Sequence, residues 1–208
     1  MTSEALQAAL PQGVRRGLET LVAPPSWELS VFEGRLGEIS GSHACAVLTL
    51  AFRLVLEAQR RGEPVAWVSR KDSAFYPPDA AGVGIDLAAL PVVWTPAPRE
   101  TARVADYLVR SGAFGLVVLD YGENARMPIA AQSRLVGLAK KHETALPCLT
   151  EKEGDRPSLG SLVAVRVEAA RKERMAGRFR CEAHVLKDKR RRPGWTHAEV
   201  FRGPDGLR

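Results

Sequence analysis

The stretch from Gly41 to Leu48 has the outline of a phosphate-binding loop. It follows an apolar segment that predicts a β-strand and precedes a longer one that predicts a helix, which is the setting of the nucleotide-binding pattern G-x-x-x-x-G-K-[ST]. In that loop, backbone N–H groups surround the phosphates, the lysine neutralises their charge, and the Ser/Thr hydroxyl holds Mg²⁺. The chemistry of such a site is phosphoryl transfer.

The side chains that do this chemistry are replaced here. Only Gly41 matches the pattern, because Ala46 takes the place of the second glycine, Val47 of the lysine and Leu48 of the Ser/Thr. Loss of a buried cation opposite a polyphosphate costs roughly 2–5 kcal/mol, judged from the truncation of one partner of a buried charge pair. We therefore predict a protein that is not an enzyme and binds no cofactor, with at most weak affinity for ATP.

A cationic turn stands near the end of the chain, with Trp195 behind it. Its members are Lys187, Asp188, Lys189, Arg190, Arg191 and Arg192. Such a cluster is suited to contact with a partner or with phosphates, and Trp195 is then available for stacking on a base. The alternative, which stays open, is an exposed hairpin tip with Trp195 covering the edge of a sheet.

Positive charge is concentrated in the last part of the chain. Residues 1–150 carry 15 Lys+Arg and 15 Asp+Glu, whereas residues 151–208 carry 15 and 9. This asymmetry indicates an anionic partner such as nucleic acid, or else a solvated basic tail. We expect any binding to single-stranded DNA to be weak and non-specific.

Composition indicates an ordinary globular protein. Hydrophobic residues make up 45% of the chain and charged residues 26%, and no apolar run approaches the roughly 20 residues of a membrane span. Cys45, Cys148 and Cys181 lie far apart, without the spacing of a zinc site or a disulfide framework. We therefore expect a cytoplasmic protein with reduced thiols, no metal and no membrane contact.

Apolar segments that predict strands alternate with segments that predict helices. The strands are predicted at residues 35–40, 64–69, 91–95, 115–120 and 145–150, and the helices at residues 44–61, 99–110 and 125–142. Continuous apolar runs of this kind are typical of parallel strands covered by helices on both faces, so Trp67 and Trp94 are expected in the core. Residues 1–30, interrupted by prolines, predict an N-terminal arm, and residues 31–208 predict one domain.

After residue 151 the pattern changes to alternation of polar and apolar residues. Residues 162–168, 179–186 and 197–201 predict antiparallel strands, separated by charged turns at residues 171–177 and 187–194. The predicted fold class is α/β, with a mostly parallel central sheet flanked by helices and an antiparallel C-terminal extension.

From Gly34 to about residue 203, the chain resembles the core of the RecA recombinases, in spacing and order as well as in composition. The segments that carry the resemblance are GRLGEISG, LTLAFRLVLEAQRRGEPVAWV, GVGIDLAALPVV, RETARVADYLVRSGAFGLVVLD, LVAVRVEAARKE and AHVLKDK. The resemblance implies a RecA-like fold. It also implies a subunit contact, because in RecA filaments two lysines spaced i, i+2 reach the ATP of the neighbouring subunit, and Lys187 and Lys189 match that pair.

Departures from the family fall on the residues that use the nucleotide. Lys71 stands where the family has the glutamate that activates the attacking water, and Glu151 where it has a glutamine that senses the nucleotide. Asp120 matches the carboxylate that closes the Walker B strand, and we interpret it as a relic that now caps a loop. The DNA-contacting loop that follows is cut to residues 152–158, which argues against filament-type DNA binding through it.

A RecA-like chain whose nucleotide site is lost is similar to the ImuA group, which is related to the SulA-like RecA paralogues. This resemblance implies a non-catalytic adaptor in DNA-damage-induced (SOS) mutagenesis. Its partners would be RecA and an ImuB-type homologue of Y-family polymerases, in error-prone translesion synthesis. Two alternatives stay open: a cell-division inhibitor like SulA, and a divergent RecA-like ATPase.

Overall fold

Eight strands form one mixed sheet in the computed structural model, which describes residues 26–42, 45–71, 73, 75–123, 125–175 and 178–202. The strands are β1 (Leu36–Gly41), β2 (Val65–Arg70), β3 (Val92–Thr95), β4 (Leu116–Gly122), β5 (Leu146–Glu151), β6 (Val165–Met175), β7 (Arg178–Asp188) and β8 (Thr196–Arg202). Their order is β3-β2-β4-β5-β1-β6-β7-β8. The first six are parallel to one another, whereas β7 is antiparallel to both β6 and β8. The predicted fold class is confirmed.

Helices cover both faces of the parallel strands. They are α1 (Val47–Arg60), α2 (Pro77–Gly82), α3 (Pro98–Arg110) and α4 (Ile129–His142). The buried residues of α1, among them Leu50, Leu54 and Ala58, recur every three or four positions and pack with Trp67 and Val118 on one face of the sheet. Residues of α3 and α4 pack with Val117 and Leu119 on the other face. The sheet therefore lies between two apolar layers.

The core begins before the predicted domain boundary. Trp27 and Leu29 are each only 2% exposed. The Trp27 indole donates a hydrogen bond to the Leu50 carbonyl at 3.1 Å, and the Leu29 N–H donates to Glu57 Oε2 at 3.0 Å. The boundary predicted at residue 30 therefore lies too far along the chain, while the rest of the predicted arm, residues 1–25, is outside the described residues.

Trp94 corrects a second expectation. Trp67 is fully buried as predicted, but Trp94 is 45% exposed and touches Phe75 with ring centroids 6.2 Å apart. The reason is that β3 lies at the edge of the sheet, beside β2 only. An apolar sequence does not distinguish an edge strand from a central one.

The predicted turn at residues 171–177 is largely strand, because β6 continues to Met175 and β7 begins at Arg178. Charged side chains there can be solvated while the backbone pairs with β7. A run of charged residues is therefore compatible with a strand and does not by itself indicate a turn. No helix in the described part of the chain has the length and apolar character needed to cross a membrane.

Candidate functional site

The carboxyl ends of the parallel strands form the edge of the sheet at which the sequence predicts the degenerate phosphate loop. We call it the carboxyl edge, and it is marked by Gly41 of β1, Arg70 of β2, Asp120 of β4 and Glu151 of β5. Ligands of open α/β sheets bind outside this edge. The amino edge lies at the other end of β1, which spans about 20 Å for its length of six residues.

Gly41 is required by a close contact within the protein. A Cβ added to it would lie 2.7 Å from Cys45 Sγ and 2.8 Å from the Ala169 carbonyl oxygen. The side chain of Cys45 therefore lies against the first glycine of the degenerate loop. This is a reason for glycine at this position that involves no phosphate.

The substituted loop residues belong to the core. Ala46 is 0% exposed and Val47 is 9% exposed, and both belong to the apolar cluster beneath α1, against which Leu48 also packs. Helix α1 begins at Val47, and Ala46 contributes no side-chain cap. The positions that carry a cation and a metal ligand in the phosphate-loop pattern thus contribute to packing, while His43 and Ala44 lie outside the described residues.

Asp120, near the end of β4, is hydrogen-bonded to the end of β2 and to the turn that follows it. Its carboxylate accepts hydrogen bonds from Ser69 Oγ at 3.1 Å and from Ser73 Oγ, and Ser73 Oγ in turn accepts one from the Phe75 N–H at 3.1 Å. Burial raises the pKa of Asp120, and the two serine hydroxyls partly oppose this rise. Asp120 therefore links β4 to a turn through hydrogen bonds, and sequence reasoning missed both serines because no motif marks them.

Lys71 lies just beyond β2 and is exposed, and its backbone N–H donates to the Thr95 carbonyl at 3.3 Å. Glu151 pairs in register with Gly41 across β5 and β1, and its side chain is half-buried. Both residues stand at the carboxyl edge, as the resemblance implied. Within the described ranges, no group of three or more His, Cys, Asp or Glu residues could hold a metal ion.

A buried glutamate inside β1 was missed by sequence reasoning. Glu38 in the middle of β1 is 0% exposed, pairs with Lys152, and lies 3.8 Å from Arg166 Nε. It also accepts hydrogen bonds from Thr150 Oγ1 at 3.0 Å and from Ser158 Oγ and the Leu159 N–H at 2.9 Å each. These contacts hold the shortened loop against the sheet. The only sequence signal was a charge inside an apolar strand.

The cationic turn lies at the amino edge, on the opposite side of the sheet. The Lys189 N–H donates to the Ala164 carbonyl, just before β6, and Asp188 forms a buried ion pair with Arg35 at 2.5 Å. Burial acts to raise the pKa of Asp188, but hydrogen bonds from Arg35 and from the Arg190 amide outweigh it, so the net shift is downward. The turn is thus anchored beside the start of β1.

Lys187 at the end of β7 and Lys189 just beyond it converge on one point. Both ammonium groups donate to the Ser161 carbonyl oxygen, at 3.3 Å and 3.1 Å. Burial lowers the pKa of Lys187, and the neighbouring charge of Lys189 lowers it further. Two cations that share one neutral acceptor repel each other, and an anion between them would relieve that repulsion.

The remaining residues of the turn divide into two kinds. The Arg190 guanidinium donates to the Glu33 carbonyl at 3.2 Å, so it contacts the protein itself. Arg191 and Arg192 are exposed, whereas Trp195 is half-buried and packs against the core. The structure therefore brings Lys187 and Lys189 together, leaves two arginines towards solvent, and uses Trp195 to cover the sheet.

Comparisons with known proteins agree with this architecture. The model of the RecA N-terminal domain matches residues 30–137. The chain is 35% identical to Protein RecA of Fusobacterium nucleatum over 88 residues, which are 42% of this chain and 23% of that protein. It is 32% identical to Protein RecA of a Nocardioides species over 122 residues, covering 53% of this chain and 35% of that protein.

Protein RecA of Rhodospirillum rubrum is 38% identical over 87 residues, with coverage of 42% of this chain and 24% of that protein. The matched segments thus span between about a quarter and a third of the length of these relatives. Residues 30–137 are 108 of the 208 residues and include β1 to β4 together with the degenerate loop. Because the domain match covers more than half of the chain and agrees with the observed fold, the chain belongs to the RecA N-terminal domain family.

Proposed function

We propose that the protein is a non-catalytic RecA relative that acts as an adaptor in DNA-damage-induced mutagenesis. In this proposal it binds RecA and an ImuB-type homologue of Y-family polymerases and serves error-prone translesion synthesis. Membership of the RecA family supports a role beside RecA. The particular partners come from the resemblance to the ImuA group.

One observation supports the proposal: the degenerate loop and the lysine pair, which by resemblance correspond to the two halves of a RecA subunit contact, lie at opposite edges of the sheet and differ in chemistry. At the carboxyl edge, Val47 and Leu48 stand in place of the lysine and the Ser/Thr. At the amino edge, Lys187 and Lys189 are both present and converge on the Ser161 carbonyl. A subunit of this kind offers cations to an ATP held by RecA but offers no ATP to a further subunit.

It follows that the protein joins a RecA filament from one side only. An adaptor that caps one filament end halts extension there and marks that end for polymerase partners. Because one molecule blocks one end, the effect requires far less adaptor than RecA. The alternative for Lys187 and Lys189 is a solvated basic turn without a partner.

The test is RecA filament growth on single-stranded DNA with ATP, followed with and without the protein. We expect shorter filaments at substoichiometric amounts of the protein, and loss of the effect in Lys187→Ala/Lys189→Ala. A matched control is Lys140→Ala/Lys141→Ala, which removes two exposed lysines at the end of α4 and should retain the effect. Equal inhibition by wild type and by Lys187→Ala/Lys189→Ala, or a need for stoichiometric protein, would contradict capping.

The partners are tested separately by affinity capture from cells with damaged DNA. Recovery of RecA together with a Y-family polymerase homologue supports the adaptor function. Recovery of a tubulin-like division protein without either of them contradicts it and favours a SulA-like inhibitor. ATP hydrolysis by the purified protein would favour a divergent ATPase.

A further inference from the structure

A groove runs along one side of α1, between the edge strand β8 and the turn that follows α2. Its main lining residues are Phe52, Arg53, Leu56 and Arg60 of α1, Val83 after α2, and Phe201 of β8. The four residues of α1 share one helical face, because they are separated by about one or two turns, and this face is about 12 Å long. The groove has a volume of about 270 Å³.

Hydrogen bonds hold the turn after α2 against the helix. The Gln59 side chain donates to the Asp86 carbonyl and accepts from the Asp86 N–H, both at 2.9 Å. Gly84 lies between these elements with a φ of 92°, a conformation that favours glycine. This turn therefore forms one wall of the groove and leaves Val83 38% exposed there.

The floor of the groove is apolar and continuous with the core. Phe52 is only 4% exposed, and its ring centroid lies 5.5 Å from that of Trp67 and 6.0 Å from that of Phe75. Leu56 and Phe201 are partly buried and pack against the same core. Aromatic contacts thus fix the floor from below, and its upper side can bury apolar side chains of a partner.

Two arginines flank this floor, and little negative charge compensates them. Arg60 is exposed and forms no ion pair within the part of the chain that the structure describes. Arg53 has one carboxylate partner there, Glu199, at 3.6 Å. Glu57, one turn from both arginines on α1, pairs with Arg61 at 2.5 Å instead. The groove therefore combines an apolar floor with an excess of positive charge.

This combination is complementary to a peptide that is both apolar and acidic. Aromatic side chains and arginine are enriched in protein interfaces and carry much of their binding energy. A volume of about 270 Å³ is below the range of roughly 300–1,000 Å³ for small-molecule sites. Phosphates of a nucleic acid would contact the arginines but would leave the apolar floor without a partner.

We propose that this groove is a docking site for an acidic amphipathic segment of a partner protein. Apolar side chains on one face of that segment lie on Phe52, Leu56 and Phe201, and its carboxylates pair with Arg53 and Arg60. Docking here does not involve Lys187 or Lys189, so it goes beyond filament capping. The filament test above and the test below can fail independently of each other.

The test begins with selection of peptides that bind the full-length protein, from a random phage-displayed library of about 12 residues, a length of helix that spans the groove. We expect the enriched sequences to combine acidic residues with apolar residues three or four positions apart. An enriched peptide is then labelled and titrated with the protein and its variants by fluorescence anisotropy. A selection that enriches no peptide, or only basic ones, would overturn the proposal.

Arg53→Glu/Arg60→Glu should weaken binding of the acidic peptide about tenfold or more, because its carboxylates then face like charges. Val83→Asp alters an exposed position outside the core and should weaken binding by a similar factor, because it places a charge beside the apolar floor. Replacement of the acidic residues of the peptide by lysine should restore binding to Arg53→Glu/Arg60→Glu but not to the wild-type protein.

Arg191→Glu/Arg192→Glu is the matched control, because it reverses two exposed charges at the amino edge. It should change the affinity for the peptide by no more than about twofold. An equal loss in this control would mean that only net charge matters and would overturn the proposal. Unchanged binding by Val83→Asp would place the peptide elsewhere and would overturn it as well.

Two other occupants of the groove are distinguished by the same variants. Displacement of the peptide by single-stranded DNA, with DNA binding lost in Arg53→Glu/Arg60→Glu, would assign the groove to a polyanion. A wild-type dimer in analytical ultracentrifugation that Val83→Asp dissociates would assign it to a second copy of this chain. Either result would contradict docking of an acidic segment from a different protein.

Discussion

Asp188 and Asp120 are both buried, but their environments have opposite effects on the charged carboxylate. Asp188 faces the Arg35 guanidinium, and its pKa is lowered despite burial. Asp120 accepts hydrogen bonds from two serine hydroxyls and the Gly122 N–H and is attracted by Arg70, but burial outweighs them and raises its pKa. A lowered pKa stabilises the fold above the ordinary carboxyl pKa and loses that effect as the pH falls, whereas a raised pKa costs stability as the pH rises.

Asp188→Ala should destabilise the protein by about 3–5 kcal/mol, because it leaves the buried Arg35 without its partner. Urea unfolding at neutral pH measures this change. The difference from wild type should shrink as the pH falls below the ordinary carboxyl pKa of about 4 and through the lowered folded-state pKa of Asp188. Glu33→Ala is the control, since it removes an exposed ion pair with Arg61 that contributes less than about 1 kcal/mol. Equal costs for the two variants would contradict the assignment.

Asp120→Asn should stabilise the protein at neutral pH. The amide oxygen can accept the hydrogen bonds from Ser69 and Ser73 and carries no buried charge, and burial outweighs the Gly122 hydrogen bond and the Arg70 charge that favour the carboxylate. The folded-state pKa lies above the ordinary value of 3.8. The gain in stability should therefore begin as the pH rises above 3.8, reach its full size above the folded-state pKa, and vanish in more acidic solution. Melting temperatures between pH 4 and pH 8 test this. A lower melting temperature for the variant throughout would show that the negative charge itself is needed.

At the scale of elements, the strands and the three long helices were predictable from apolar periodicity. Strand β1, predicted at residues 35–40, spans Leu36–Gly41, and α3, predicted at residues 99–110, spans Pro98–Arg110. The expectations that failed, namely a buried Trp94 and a turn at residues 171–177, depend on strand order. The exposure of Trp94 and the length of β6 depend on which strands are neighbours in the sheet. The residues within a strand do not specify its neighbours.

The candidate site was predictable only where a motif marks it. Gly41, Val47 and Asp120 follow from a loop pattern and a strand end. The roles of Ser73 and Glu38 do not follow from a motif. Ser73 contacts Asp120, which is 47 positions away in the chain, and Glu38 contacts Thr150, which is 112 positions away. Long-range polar contacts of this kind leave no periodic signal in the chain.

Gly41→Ala should destabilise the fold by about 1–3 kcal/mol, because the added methyl group would overlap Cys45 Sγ and the Ala169 carbonyl. Gly137→Ala is the matched control within α4. No atom lies within 4 Å of an added Cβ there, so the change should stabilise by about 0.5–1 kcal/mol through helix propensity. Thermal unfolding of the two variants measures both effects. A neutral Gly41→Ala would show that this glycine is not held by packing.

At the scale of the whole molecule, one sheet separates two chemically unequal edges. The carboxyl edge lacks the lysine and Ser/Thr of the phosphate-loop pattern, while the amino edge carries two convergent lysines. The family fold persists because β1, α1 and their contacts are stabilised by packing. Ala46 and Val47 now contribute to that packing. The packing of this part of the fold therefore does not depend on the lysine and Ser/Thr of the phosphate-loop pattern.

The most direct test of this account is the melting temperature of the purified protein with and without ATP and Mg²⁺ at millimolar concentration. A ligand present at 100 times its dissociation constant stabilises the folded state by about 2.7 kcal/mol, which shifts the melting temperature measurably. The account predicts no shift, because Val47 and Leu48 supply neither the cation nor the metal ligand. A clear rise that requires both ATP and Mg²⁺ would contradict the claim that the carboxyl edge no longer binds a nucleotide.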